Sequence, residues 1–349
     1  MRIYFAALAV AFAFCTNASA DTRPDSHAPI NVMGDHLHKK GEFMFSYRYM
    51  HMAMQGNRDG SSKLAPDEIA TTAANRFANP PMMPPTLRVV PIEMTMQMHM
   101  FGMMYAPSDR VTLMGMVNYI DKDMDHLTFV GPAGTTELGT FTTETSGLGD
   151  TSLAALINIS ERAGNRWHAT LGVSLPTGSI DETDTILTPM NTQPATRLPY
   201  PMQLGSGTYD WIGGITYAGS GRQWGWGGQW RSTFRTGEND EQYTLGDEHQ
   251  LTGWLSYLVS PAVSLSARVA YLDRGNIDGI DPQIMAPVQT ADPDRQAIER
   301  LDFGVGANWV LPGERHRLSF ELLAPVSQHL DGPQLETDWQ LTLGWQFAP

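Results

Sequence analysis

The chain has 349 residues, a formal charge of −14 and one cysteine, Cys15. Its acidic balance argues against nucleic acid as a partner, and a single cysteine excludes a disulfide framework. After the first twenty residues there is no apolar run of about 18 residues, which excludes a transmembrane helix.

The first element is an export signal. Arg2 supplies a positive start, Ile3 to Phe14 an apolar run, and Ala18-Ser19-Ala20 a small-residue cleavage site, so the mature chain is expected to begin at Asp21. Cys15 leaves with a signal spanning 1–20. Residues 21–41 read as a polar periplasmic tail. In it, His36 and His38 closely follow Asp35 and His27 lies upstream. These donors suit a divalent metal, but the spacing matches no strong zinc pattern. A mobile polar tail is the plainer account.

From residue 42 onward the pattern is alternation with a period of two, the mark of a half-buried strand. In the last segment Trp339, Leu341, Leu343, Trp345 and Phe347 share one parity, while Gln340, Thr342, Gly344 and Gln346 share the other. Such segments fall at 42–55, 92–106, 111–121, 150–160, 166–177, 207–218, 224–236, 250–259, 262–273, 301–311, 316–325 and 336–347. About twelve strands of roughly ten residues have the length that crosses a tilted bilayer path. Short turns at 107–110, 161–165, 219–223, 260–261 and 312–315 alternate with long polar segments at 56–91, 122–149, 178–206, 237–249, 274–300 and 326–335. That alternation predicts an all-β antiparallel transmembrane barrel over 42–349, with short periplasmic turns and long extracellular loops. Lipid offers no hydrogen-bond partner, so such a sheet must close on itself. Tyr47, Tyr49, Tyr105, Tyr119, Tyr209, Tyr217, Trp224, Trp226, Trp345 and Phe347 fit interfacial girdles.

Taking the apolar parity as outward places Arg48, Asp210, Arg231, Arg235, Arg268, Asp302, Arg317, Glu321 and Asp338 inside. The arginines can guide an anionic solute, with Arg231 and Arg235 the best placed. Alternatively, the charges pair across the lumen and fill it. The methionines are the other unusual feature. The same rule sends Met94, Met96, Met98 and Met100 to the lipid, because Glu93, Thr95, Gln97 and His99 hold the polar parity. Met50, Met52, Met54, His99, Met114 and Met116 then form one inward wall, a candidate path for Cu(I) or Ag(I). Apolar lining is the blander account. No other cofactor is indicated. Nucleotide-binding and hydrolase motifs are absent, so an enzyme is not expected, and a non-conducting metal-binding or lipid-modifying barrel is the alternative to a channel.

Leu175-Pro-Thr-Gly178, Gly205-Ser-Gly-Thr-Tyr-Asp210 and the strand from Trp339 to Phe347 resemble the outer-membrane transporter proteins linked to the meta-pathway of phenol degradation. The resemblance covers the middle and end of the chain, and the Met-rich first third departs from it. It implies an outer-membrane transport barrel with loosely defined substrates. The expected setting is therefore the outer membrane, with lipid, lipopolysaccharide, the barrel-assembly machinery and a small solute or ion as partners.

Overall fold

The computed structural model describes residues 23–349, so the export signal lies outside the described residues. One 13-stranded antiparallel sheet closes into a barrel. Its strands are β1 (Phe43–Gly60), β2 (Val89–Ser108), β3 (Val111–Phe129), β4 (Glu137–Leu148), β5 (Thr151–Arg162), β6 (Asn165–Leu175), β7 (Asp210–Ser220), β8 (Trp224–Phe234), β9 (Glu248–Ser260), β10 (Val263–Arg274), β11 (Ile298–Val310) and β12 (His316–Phe347), with Ser62–Leu64 added beside β1.

Eleven of these elements form the closed path, and β12 serves twice. Residues from Arg317 to Leu330 pair with β11, and residues from Leu330 to Phe347 pair with β1. Counting β12 as two staves gives the expected twelve. β4 lies off the path. It continues β5 along the edge of β3, since Leu148 faces Tyr119 and Ser152 faces Met116. The two are one stave with a step at Gly149 and Asp150.

Period two drives the wall. Along β6, Leu171 is 60% exposed while His168 and Thr170 are buried. An apolar outer surface over a polar interior is unstable in water and suits lipid. Near the short turns, aromatic pairs ring the wall: Phe43 on Tyr105 at 4.4 Å, Trp167 on Tyr217 at 4.8 Å and Trp224 on Tyr257 at 4.7 Å. These form the periplasmic girdle.

The wall is not level. β1, β2 and β3 have 18, 20 and 19 residues, whereas β6, β7 and β8 have 11 each. At about 3.3 Å per residue, one side stands roughly 25 Å further along the strand direction. The segment at 122–149, expected as a loop, is therefore mostly the tall hairpin of β3 and β4. Above the lipid the outward parity carries Asp121, Asp123 and Asp125, so the apolar alternation fails although the strand continues. Likewise 326–335 is a strand hairpin and not a long loop.

The remaining outer segments fold over the tall wall. They include one short helix, α1 (Pro66–Thr72), and two small sheets, Thr183–Thr185 with Ala195–Arg197 and Tyr243–Thr244 with Asp278–Gly279. Tyr200, Tyr243, Ile284, Val288 and Ala291 form the core of this cap.

Candidate functional site

The segment expected to hang in the periplasm lies inside the barrel. Residues 23–41 enter at the periplasmic rim, rise to mid-lumen and return to the rim before β1. At the rim, the Pro24 carbonyl accepts from Ser264 Oγ at 2.8 Å. At the top, the Asn31 amide donates to Glu321 Oε2 at 3.0 Å, and Thr342 Oγ1 donates to Asn31 Oδ1 at 2.8 Å. The Met33 and Gly34 carbonyls bond Gln229 Nε2 at 2.9 Å and His168 Nε2 at 2.8 Å. On the way down, the His38 amide donates to Thr112 Oγ1 and the Lys40 amide to Asp109 Oδ1. Irregular backbone must satisfy its own N–H and C=O groups, and inward polar side chains do so here. Ala28 and Val32 pack on Trp254. That ring fits because residue 227 is glycine; a Cβ there would stand 2.2 Å from it. The segment is a plug, and polarity alone had made it look like a tail.

The inward charges largely serve the same structure. Arg268 Nε donates to Glu321 Oε1 at 2.6 Å, and both are almost fully buried. Arg235 pairs with Asp210 at 2.5 Å, and Arg300 with Asp302 at 3.0 Å. Arg317 bonds the Gln346 side chain. Arg48 is buried against the Met33 sulfur. Arg231 makes no ion-pair contact among the described residues, with Glu248 the acid acting on it. Asp338 is exposed at a strand irregularity and is not a lumen group. Of the expected arginine row, Arg235 and Arg268 are thus neutralised by carboxylates.

The methionines change most. Directly opposed residues in an antiparallel pair share a face. Met50 lies opposite Met98, Met52 opposite Met96, and Met54 opposite Met94, while Met100 lies opposite Arg48. Met94 and Met100 are buried, and Met96 and Met98 pack in the cluster of Met33, Met50, Met100 and Met116. The stripe from Met94 to Met100 faces the lumen, so the lipid-facing expectation was inverted. His99 correspondingly points out, accepting or donating to Tyr47 Oη at 2.8 Å, and drops from the inward set. The error has a physical source. Methionine marks neither face, and outward Gln97 and His99 are tolerated because Tyr49 and Tyr47 bond them.

The inward methionines are continuous along the wall. At the extracellular end Met94 and Met124 pack with Met202, Leu198 and, partly buried, Met54 and Ile186. The Met50, Met100 and Met116 cluster follows, then Met44, Met104 and Met114 with Leu37 of the plug. Ile186 and Leu198 also line a cavity of about 590 Å³ beneath the outer loops, together with Phe141, Val288, Pro287 and Ala286. Met82, Met190 and Met285 line it too and are strongly exposed.

Asp150 was missed from sequence. Its Oδ2 accepts from the Ser206 amide and hydroxyl at 2.9 and 2.7 Å, and its Oδ1 from the Gly178 amide at 3.0 Å. Gly178 and Gly205 touch backbone to backbone; a Cβ on Gly205 would stand 2.4 Å from the Gly178 carbonyl oxygen. The two sequence motifs therefore meet at Asp150, where the β4–β5 stave steps. Their spacing signalled family likeness but gave no clue to this partner.

In the plug, His27, Asp35, His36 and His38 come together. Asp35 Oδ1 is 2.7 Å from His36 Nδ1, and the His36 ring lies 4.6 Å from His27 and 4.9 Å from His38. Burial would raise the Asp35 carboxyl, but His36, the Ala28 amide and Arg48 together hold it at about 2. Burial, reinforced by His36, pushes the His38 imidazole down to about 3, so it is neutral at physiological pH.

The fold is similar to that of the COG4313 outer membrane channel from Pseudomonas putida F1, at a TM-score of 0.59 and 16% identity over 92% of this chain and 100% of that one. The P. putida toluene transporter TodX and a Pseudomonas aeruginosa FadL homologue align over 89% and 88% of this chain and 90% of each of theirs, at 8% identity and TM-scores of 0.45 and 0.43. No family model and no curated protein matches. The first likeness establishes an outer-membrane-type barrel fold; the other two are too remote to carry an argument.

Proposed function

We propose that this barrel is an outer-membrane channel for a small, largely apolar solute. The observation that carries it is the apolar track. The cavity under the extracellular cap is floored by Ile186 and Leu198, which pack on Met94 and Met124 at the head of the methionine wall. That wall leads inward to the plug at Met33 and Leu37. Thioether side chains are apolar and adaptable, which suits a surface that must pass a solute without binding it tightly. The likeness of the two sequence motifs to transporters linked to phenol degradation points toward an aromatic solute. An anion is less favoured, because Asp210 and Glu321 already neutralise Arg235 and Arg268. Transport is favoured over catalysis because the cavity is lined chiefly by Pro, Met and aliphatic groups.

Naphthalene, followed by its fluorescence on the purified barrel, tests the capture step. Met190→Asp with Met285→Asp places two charges at exposed cavity positions without disturbing the core. Affinity is expected to fall about tenfold, or ~1.4 kcal/mol. Unchanged affinity would remove the cavity from the route.

A soft metal ion is the second candidate, favoured by the cluster of Met33, Met50, Met96, Met98, Met100 and Met116. Arg48 beside the Met33 sulfur opposes a cation there. Calorimetric titration with Ag(I) separates the two: an apolar track leaves it without saturable binding that depends on these methionines.

A further inference from the structure

We propose that the plug carries a transition-metal site built from His27, His36 and His38, with Asp35 as the adjoining carboxylate. The site is independent of what the barrel conducts. The three imidazoles and Asp35 arise from two limbs of one hairpin. His27 lies on the rising limb and the other three on the returning limb. The limbs are drawn together by the Ala28 amide, which donates to Asp35 Oδ2 at 2.9 Å. The donor atoms of His27, Asp35 and His36 lie within 4.8 Å of one another.

The contacts of the rings are those that orient histidine toward a metal. His36 and His38 each have a carboxylate at Nδ1, Asp35 at 2.7 Å and Glu42 at 3.4 Å. In both rings Nε2 is buried and meets no hydrogen-bond partner. Both residues are more than nine-tenths buried. Buried polar atoms of this kind are normally satisfied. A carboxylate on one ring nitrogen with the other left bare is how proteins orient histidine toward a metal. A cavity of about 70 Å³ adjoins these rings, lined also by Met44 and Arg166 and reaching His316 at the periplasmic rim. An ion can therefore arrive from the periplasm.

The donors select the ion. Imidazole nitrogens with one carboxylate suit Zn²⁺, Cu²⁺ or Ni²⁺, and exclude Ca²⁺ and Mg²⁺, which need oxygen shells. Zn–N bonds of about 2.0–2.1 Å put tetrahedral donors roughly 3.3 Å apart, so donor atoms spread over as much as 4.8 Å must draw together by up to about 1.5 Å. That closure would staple the two limbs, holding the plug in its hairpin form.

The test uses the full mature barrel in detergent, stripped with EDTA and titrated with Zn²⁺ by calorimetry. One equivalent should bind, and the Cu²⁺ form should show imidazole nitrogen couplings in its EPR spectrum. His36→Ala with His38→Ala should weaken Zn²⁺ binding by at least about 100-fold, the scale of losing ligands beyond an outer-shell effect. His27→Gln, which preserves the side-chain volume more closely, provides a second variant if the double variant does not fold; it should remove one nitrogen coupling. Absence of saturable binding, or unchanged affinity and couplings in the folded variants, overturns the site. Conductance measured without metal tests the channel separately.

Discussion

Glu321 is fully buried and its two oxygens are divided between wall and plug. Oε1 holds Arg268 at 2.6 Å and Oε2 receives the Asn31 amide at 3.0 Å. A guanidinium stays charged even when buried, so it is costly inside unless a carboxylate answers it. Glu321→Gln preserves shape and removes that answer. It should destabilise the folded barrel by on the order of 3 kcal/mol, since the unpaired cation remains inside. Urea unfolding in vesicles, followed by tryptophan fluorescence, checks this. Arg268→Met combined with Glu321→Gln should recover part of the loss, because the stranded charge is then gone; a double variant no better than Glu321→Gln would discount the ion pair. At this scale the sequence names Glu321 and Arg268 among the inward groups. It did not show that they faced each other, because partners at such separations are fixed by strand register.

The plug is the element whose role was least legible. Residues 23–41 have no alternation, since they form no extended strand, and their polarity resembles that of a tail. Their partners are inward side chains such as Gln229, His168 and Thr342, scattered along the chain. The strands were far easier to find, because each carries its own periodicity. Even there, β4 escaped: its outward positions sit above lipid and are polar, and Asp125 and Thr142 bond each other there. The face of β2 also differs from expectation, because its methionines read as lipid-facing and its His and Gln as lumenal, whereas the methionines pack inward. Removing residues 24–34 tests the element directly. It deletes the contacts to Ser264, Glu321, Gln229 and His168 while leaving β1 intact. Single-channel conductance in planar bilayers should rise severalfold over the parent, because a hairpin that occupies the periplasmic half of the lumen is gone. An unchanged conductance would mean that ions bypass the plug already.

For the molecule as a whole, the outer surface sets where the bilayer sits. The periplasmic girdle runs through Trp167, Tyr217, Trp224 and Tyr257, and above it Leu171, Leu251, Leu255, Leu265, Val269 and Val305 form an exposed apolar belt. Beyond the belt, the tall hairpin of β3 and β4 leaves lipid and turns acidic. A charge should therefore cost most in the belt and little above it. Leu171 lies mid-strand, four residues above Trp167, and is 60% exposed on the lipid side. Leu171→Arg should destabilise folding into vesicles by about 2–4 kcal/mol, the cost of arginine near a bilayer midplane. Thr142→Arg, placed on the projecting hairpin beside Asp125, should cost no more than about 1 kcal/mol, as expected outside the hydrocarbon. The two substitutions carry the same charge onto outer positions of the same wall, so their difference measures depth. Equal effects would mean that the belt does not contact lipid, and a soluble sheet would then have to account for an apolar exterior around a polar, plugged lumen.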